Sequence, residues 1–250
     1  MVRLSRFIKV LQNEFPDGRL TWQNSVPIFH PESTQEASKL FRLASEHGRK
    51  MYITGFGNNI TPVGGAFDSV IAVGTDCLNR IIEVSDKDLF VRVEAGYPLR
   101  EINYRLKPHG LFVPHSNLPY VGSAGGAVAT GLSAELRGHE LPLKRFLLKA
   151  EIVTPEGDVI TPGSVCFKST SGYDVVKIFA GSWGLLGLIT NMWLRTVPES
   201  ALDEYEGMRQ KESSRESLLD ALSEGNTQTD AVYSRKIKQK FDPHGVLAIV

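Results

Sequence analysis

The chain has 250 residues, enough for one large domain or two small ones, and its 28 Lys plus Arg balance 28 Asp plus Glu. A formal charge of zero leaves no long-range field to favour nucleic acid or an anionic membrane, and 42% apolar against 22% charged residues describes a folded globule rather than a disordered chain. The two cysteines, Cys77 and Cys166, are too few for a disulfide framework or a four-cysteine zinc site and fit a reduced, cytoplasmic setting.

In chain order, Arg3, Arg6 and Lys9 interleave with Phe7, Ile8, Val10 and Leu11, which predicts a short amphipathic helix and not a targeting signal. No window reaches the ~20 apolar residues that a membrane span needs. Ser33-Thr34-Gln35-Glu36 has capping-box spacing, with Glu36 expected to bond back to the Ser33 amide, and Ala37, Leu40, Phe41 and Ala44 form the apolar stripe of a helix that Gly48 ends. Met51 to Ile53 is a strand running into the loop Thr54-Gly55-Phe56-Gly57-Asn58-Asn59. Asp68 to Val73 reads as a buried strand. Arg80 to Val84 and Leu89 to Ala95 then read as an antiparallel hairpin with one wet face. Pro98 opens a helix carrying Leu99, Ile102 and Leu106.

The second half repeats the theme. A second glycine loop, Gly122-Ser123-Ala124-Gly125-Gly126, leads into Ala127 to Gly131, whose small side chains suit a helix pressed against a sheet or ligand. Leu147 to Thr154 and Val159 to Thr161 flank the turn Pro155-Glu156-Gly157-Asp158. Asp174 to Phe179 predicts a short helix, Leu188 to Thr196 a strand after the third glycine loop, and Pro198 closes the compact part. The stretch from Ala201 to Gly225 is polar, and Phe241-Asp242-Pro243-His244-Gly245 is turn chemistry.

Glycine loops of this kind gather backbone amides that can hold phosphate oxygens. Gly55-Phe56-Gly57 lacks the third glycine of the dinucleotide fingerprint, and Ile60-Thr61-Pro62 blocks the helix that should follow, which argues against a Rossmann domain. No glycine loop ends in Lys followed by Ser or Thr, so a Walker loop is absent. Ser123 lacks the glycine spacing of a nucleophile elbow. The six histidines show no metal-ligand spacing, so no metal centre is expected; His115 and His139 remain lone residues near glycine-rich stretches. Trp183, Tyr173 and Phe179 are candidates for an apolar pocket wall, with core packing as the alternative.

Three motifs together, Gly125 to Ala134, Lys168 to Asp174 and Gly181 to Thr190, resemble flavoproteins of the vanillyl-alcohol oxidase and p-cresol methylhydroxylase fold, and among them the FAD-binding subunit of glycolate oxidase. Phe241 to Gly245 is similar to that family's closing motif. The resemblance implies an α+β fold of two FAD-binding subdomains, about 30–75 and 76–198, preceded by an N-terminal helical extension over 1–29 and followed by a shortened cap remnant and tail over 199–250. It places FAD against Thr54, Gly55, Phe56, Gly57, Asn58, Asn59, Pro119, Ser123, Ala124, Gly125, Gly126, Thr130, Gly187, Leu188 and Ile189. It also implies hydride removal from a small-molecule substrate, commonly a 2-hydroxy acid, by a chain that works with a partner subunit or as a homo-oligomer, without nucleic acid or a membrane span.

The chain departs from the family at Trp183 and Leu185, where Glu and Thr are usual, and at Phe56 and Asn58, where smaller residues are usual. No His stands in the first loop, so noncovalent FAD is expected. Only 42 residues separate Pro198 from Phe241, where relatives place a cap domain with substrate-binding groups. The catalytic residues are unassigned; Arg137, His139 and Lys168 are candidates by position. Two alternatives stand beside this reading: an enzyme resembling UDP-N-acetylenolpyruvoylglucosamine reductase, whose first loop Thr54 to Asn59 also resembles, and a noncatalytic interaction subunit with an apolar contact surface around Trp183.

Overall fold

The computed structural model describes residues 2–57, 65, 67–165, 175–211, 214–223 and 225–249. The N-terminal helix α1 (Val2–Glu14) turns Phe7, Ile8 and Leu11 inward, with Phe15 just beyond it. A 13-residue helix is marginal alone, and burial of these side chains at ~1.5–3 kcal/mol each outweighs that weakness. Strands β1 (Leu20–Gln23) and β2 (Val26–Phe29) pair antiparallel, so the helical part of the N-terminal segment ends before them. Helix α2 (Thr34–Glu46) is capped by Ser33 Oγ, which accepts from the Glu36 amide at 3.1 Å. The return bond differs from expectation: the Glu36 carboxylate accepts from the Glu32 amide at 2.9 Å and from Arg19, because a full arginine lies within its reach.

Strands β3 (Lys50–Thr54) and β4 (Val70–Gly74) complete a first sheet in the order β1-β2-β4-β3, with β4 parallel to both neighbours. Alternation along β4 sends Ile71 and Val73 to the α1 and α2 side and Val70 and Ala72 to the opposite face, where Phe67 and Ala248 cover them. Burial of both faces explains its unbroken apolar run.

The second sheet is antiparallel throughout, in the order β11 (Val159–Ile160), β10 (Leu147–Val153), β12 (Leu188–Arg195), β6 (Phe90–Glu94) and β5 (Ile81–Ser85). Its first members are β5 (Ile81–Ser85) and β6 (Phe90–Glu94). The expected one-sided hairpin is corrected here: β5 is the wet edge, whereas β6 is buried except at the half-buried Arg92, whose side chain lies over the Trp193 ring and donates to Asn191 on β12. Pro98 caps a 3-10 turn that continues as α3 (Ile102–Leu106), burying Leu99, Ile102 and Leu106. Next come β7 (Leu111–Phe112), α4 (Ala124–Ala129), β8 (Ser133–Leu136), β9 (His139–Pro142), β10 (Leu147–Val153) and β11 (Val159–Ile160). Residues 175–179 form a 3-10 turn before β12 (Leu188–Arg195), and Asp174 lies outside the described residues. Helix α2 joins the two sheets: Thr34 Oγ1 donates to the Glu151 carboxylate, Ser38 Oγ donates to the Gly157 carbonyl, and Val153 and Leu188 enter the α2 core.

Beyond Arg195, β13 (Val197–Pro198) pairs with β7, and β14 (Arg209–Lys211) adds to β8 and β9. Helices α5 (Glu216–Leu222) and α6 (Thr229–Phe241) follow. Phe241 packs edge-on against Phe179 at 5.4 Å. The turn after α6 is built on the fully buried Asp242 carboxylate, which accepts the amides of Val246 at 2.7 Å and Leu247 at 2.9 Å and pairs with Lys238. The tail then pairs with β3, the Met51 amide donating to the Val246 carbonyl at 2.7 Å. No described helix is long and apolar enough to cross a membrane.

Two stability predictions follow from these buried groups. Asp242→Ala leaves Lys238 and two amides short of an acceptor, and urea unfolding should show a loss of about 3–5 kcal/mol. His115 is fully buried with Nε2 on the Leu141 carbonyl at 2.8 Å, and burial depresses its pKa below the ordinary 6.5. The unfolded chain therefore takes up a proton that the folded chain resists. This contribution is intact above pH 6.5 and is lost as pH falls toward the depressed value. Unfolding measured across that window should steepen in acid, and less so for His115→Gln.

Candidate functional site

A groove of about 160 Å³ runs between the two sheets, bounded by the end of β3, the first turn of α4 and the loop that enters β12. Thr54, Gly55, Phe56 and Gly57 form one wall, Ser123, Gly125, Gly126 and Thr130 the floor, and Gly187, Leu188 and Ile189 the far wall. Eleven of the expected residues thus meet in one place. Asn58 and Asn59, like the Lys168 to Asp174 motif with Tyr173, lie outside the described residues. Pro119 and Ala124 do not line the groove: the Pro119 carbonyl accepts from Arg100 at 3.1 Å, and Ala124 is buried in the core beneath the floor.

The amides of the α4 turn are less available than a phosphate nest requires. Ala124 and Gly125 donate to the Tyr97 and Ala95 carbonyls at 2.8 and 2.7 Å, and the Gly126 amide donates to Ser123 Oγ at 3.1 Å. Gly125 is a packing glycine: a Cβ there would lie 2.6 Å from the Ala95 Cβ and 3.0 Å from its carbonyl oxygen, so the short helix can sit flush on β6 only without one. Gly126 differs, because its Cβ would meet only Ser123 Oγ, at 2.9 Å, on the side of the groove. Among the described residues, the amides of Gly55, Phe56, Gly122 and Ser123 make no hydrogen bond. The same holds for the hydroxyl of Thr75, which is 4% exposed and lines the groove. A buried polar atom without a partner costs about 1–3 kcal/mol, and a ligand that accepts or donates there removes that cost.

Sequence reading missed part of the lining. Tyr120 and Gln210 close one end through reciprocal bonds, the Tyr120 amide donating to Gln210 Oε1 at 3.0 Å and Gln210 Nε2 donating to the Tyr120 carbonyl at 3.2 Å. Ninety residues separate them, and only the pairing of β14 with β8 brings them together. Trp183 adopts a left-handed backbone with φ of 52° and donates its amide to the Ala129 carbonyl at 2.8 Å. It is half-buried and lines the groove. The exposed rings at this site are Phe56 and Tyr120. Phe179 is core. Arg137 and His139 sit at the β8–β9 turn and do not line the groove, and His115 is a buried structural histidine. No charged side chain lines the groove among the described residues.

The FAD binding domain family matches residues 27–163, more than half the chain. The chain belongs to this family. It is 30% identical over 175 residues to the mitochondrial cytochrome-type D-lactate dehydrogenase of Arabidopsis thaliana, covering 67% of this chain and 30% of that protein. Over 173 residues it is 27% identical to the glycolate oxidase subunit GlcD of Bacillus subtilis (strain 168), covering 69% of this chain and 37% of that one. The chain thus spans about a third of the length of these relatives. Among solved structures, an alkyldihydroxyacetonephosphate synthase superposes with a TM-score of 0.61 at 18% identity, over 78% of this chain and 40% of that one, which shows the α+β fold of this flavoprotein group.

The unpartnered amides, the Thr75 hydroxyl and the small floor residues fit a flavin nucleotide, whose pyrophosphate accepts hydrogen bonds without needing a cation. Ser123→Ala removes the α4 cap and should destabilise the chain by about 1 kcal/mol, read as a shift in the urea midpoint.

Proposed function

We propose that this chain is the flavin-binding part of an FAD-dependent oxidoreductase acting on a 2-hydroxy acid of the lactate or glycolate type, with FAD held noncovalently. The observation that supports it most is the groove itself, whose lining residues Gly55, Phe56, Gly122 and Ser123 have amides, and Thr75 a hydroxyl, without partners among the described residues. Bound there, FAD would supply the hydride acceptor. The chain's own residues then bind and orient. The Gly55-Phe56 and Gly122-Ser123 amides would hold the pyrophosphate. Gly126 leaves room above the floor, and Gly187 to Ile189 run along the far wall. Trp183 and the exposed Tyr120 stand at the groove.

A 2-hydroxy acid carries a carboxylate, and its oxidation needs a cation to hold that group and a base for the hydroxyl. The described groove supplies no charged side chain. The polar segment between Pro198 and Phe241 folds as a clasp on β8 through β14 and contributes Gln210, a neutral amide. Substrate recognition in this reading therefore rests on a partner subunit or a second copy that closes the groove. Residues 30–198 would form the two flavin-binding subdomains and 199–250 the clasp and tail.

Acid precipitation of the flavin-loaded chain should release the yellow colour to the supernatant; colour left in the pellet overturns the noncovalent reading. Gly126→Val should fold and weaken FAD binding about tenfold or more, because its side chain enters the groove, whereas Gly125→Val should fail to fold because its side chain meets β6. The chain without a partner should oxidise D-lactate or glycolate slowly with an artificial acceptor. Rapid turnover by a monomer of proven solution mass would show that the substrate site is complete within it.

A further inference from the structure

We propose that His30, Asp76 and Cys77 form a binding site for one divalent metal ion of the zinc class, outside the flavin groove. Strands β2 and β4 run parallel with Phe29 opposite Val73, so the residues that leave their carboxyl ends, His30 from one and Asp76-Cys77 from the other, emerge side by side. His30 Nδ1 lies 2.6 Å from Asp76 Oδ1, Cys77 Sγ lies 4.0 Å from Asp76 Oδ2, and one donor atom from each residue falls within 4.8 Å of the others. Imidazole, carboxylate and thiolate are ligands that zinc takes together. Bond lengths of about 2.0–2.3 Å set them roughly 3.3–3.6 Å apart in a tetrahedron whose fourth position holds water. Reaching that spacing takes shifts of about an ångström: Cys77 turns inward and the His30–Asp76 pair opens slightly.

The surroundings suit such a centre. Thr21 Oγ1 stands 2.8 Å from His30 Nε2, and when Nε2 carries the proton and donates to that hydroxyl, Nδ1 presents its lone pair toward Asp76. An outer hydrogen bond of this kind fixes the tautomer of a metal-binding imidazole. Gly74 lies under the cluster, where a Cβ would come within 2.6 Å of Asp76 Oδ1 and 2.9 Å of His30 Nδ1, so glycine keeps the two donors in place. Arg19 pairs with Glu32 at 2.5 Å and Glu36 at 2.8 Å, and among the described residues the only ion pair of Asp76 is with His30. On binding, the Cys77 thiol releases its proton to solvent and the thiolate bonds the metal; the +2 ion then meets one thiolate and one carboxylate, and the site is neutral. Nothing in the sequence spacing announces this cluster, since 46 residues separate His30 from Asp76.

The test is titration of the intact, reduced chain with cobalt(II), read by absorption and independent of flavin. One equivalent should produce a thiolate-to-cobalt band that zinc(II) abolishes. Cys77→Ser should remove the band, and Thr21→Val, which keeps all three donors, should weaken binding about tenfold. Should Cys77→Ser fail to fold, iodoacetamide labelling of the wild-type chain with peptide mapping replaces it: zinc should slow alkylation of Cys77 at least tenfold. The absence of a saturable band, a band that survives Cys77→Ser, or unprotected alkylation of Cys77 would each reduce the cluster to a structural His–Asp pair.

Discussion

The first turn of α4 lies flush on the end of β6, and the shape of the groove between the sheets depends on that contact. The Ala124 and Gly125 amides bond to carbonyls of the chain that leaves β6, so six residues of helix, too short to persist alone, are fixed as a rigid floor. A helix held so closely can carry only small residues on its two faces, which is the physical reason for the run Ala124 to Ala129. The carbonyls at its other end are equally committed: Val128 and Ala129 accept from Gly181 and Trp183, and this draws the loop before β12 onto the same floor. Floor and far wall are thereby one hydrogen-bonded unit, and little reorganisation is left for a ligand to impose.

The C-terminal turn ties this unit to the other wall. Lys238 Nζ reaches the Leu185 carbonyl at 2.9 Å and the Leu247 carbonyl at 3.2 Å as well as the Asp242 carboxylate. Leu185 belongs to the loop that carries Gly184 and Gly187 to the groove, while Leu247 lies beside Met51 on β3, the strand that delivers Thr54 and Gly55. Burial lowers the pKa of Lys238, although the carboxylate opposes the shift. A buried cation with three acceptors costs desolvation that a hydrophobic pair would avoid, yet it specifies one geometry for two loops at once, and a packed methyl group has no such directionality.

Much of this was legible in the sequence where the information is local. The stripe of Ala37, Leu40, Phe41 and Ala44, the Ser33 cap and the turn at Gly157 each follow from spacing within a few residues, and each stands in the structure as read. The three glycine loops could be gathered into one site only through resemblance, because no periodicity reports that β3 ends where β12 begins. What escaped the sequence is non-local. The wet face assigned to β6 failed because β12 arrives about a hundred residues later to cover it, as the Arg92–Asn191 contact shows. Gln210 escaped because an isolated Gln in a polar stretch carries no signal until β14 pairs with β8. The close packing of Gly125 on Ala95 escaped for a related reason: a glycine beside a ligand and a glycine beside a strand are identical in sequence.

The neutral lining that the described residues give the groove bears on how such a chain would divide its work. Pyrophosphate can be held by amides and hydroxyls, whose dipoles are fixed by the fold and need no counter-ion. A substrate carboxylate in the same space is less well served, since a neutral lining cannot repay its desolvation as a cation does. Glu140 on β9 and Lys211 on β14 pair with each other at 2.9 Å outside the lining. Cofactor binding and substrate recognition therefore make separable demands, and the residues here meet the first. Among the described residues the lining supplies no cation, so what a surface closing over Phe56 and Tyr120 would add is charge more than cover for exposed apolar rings.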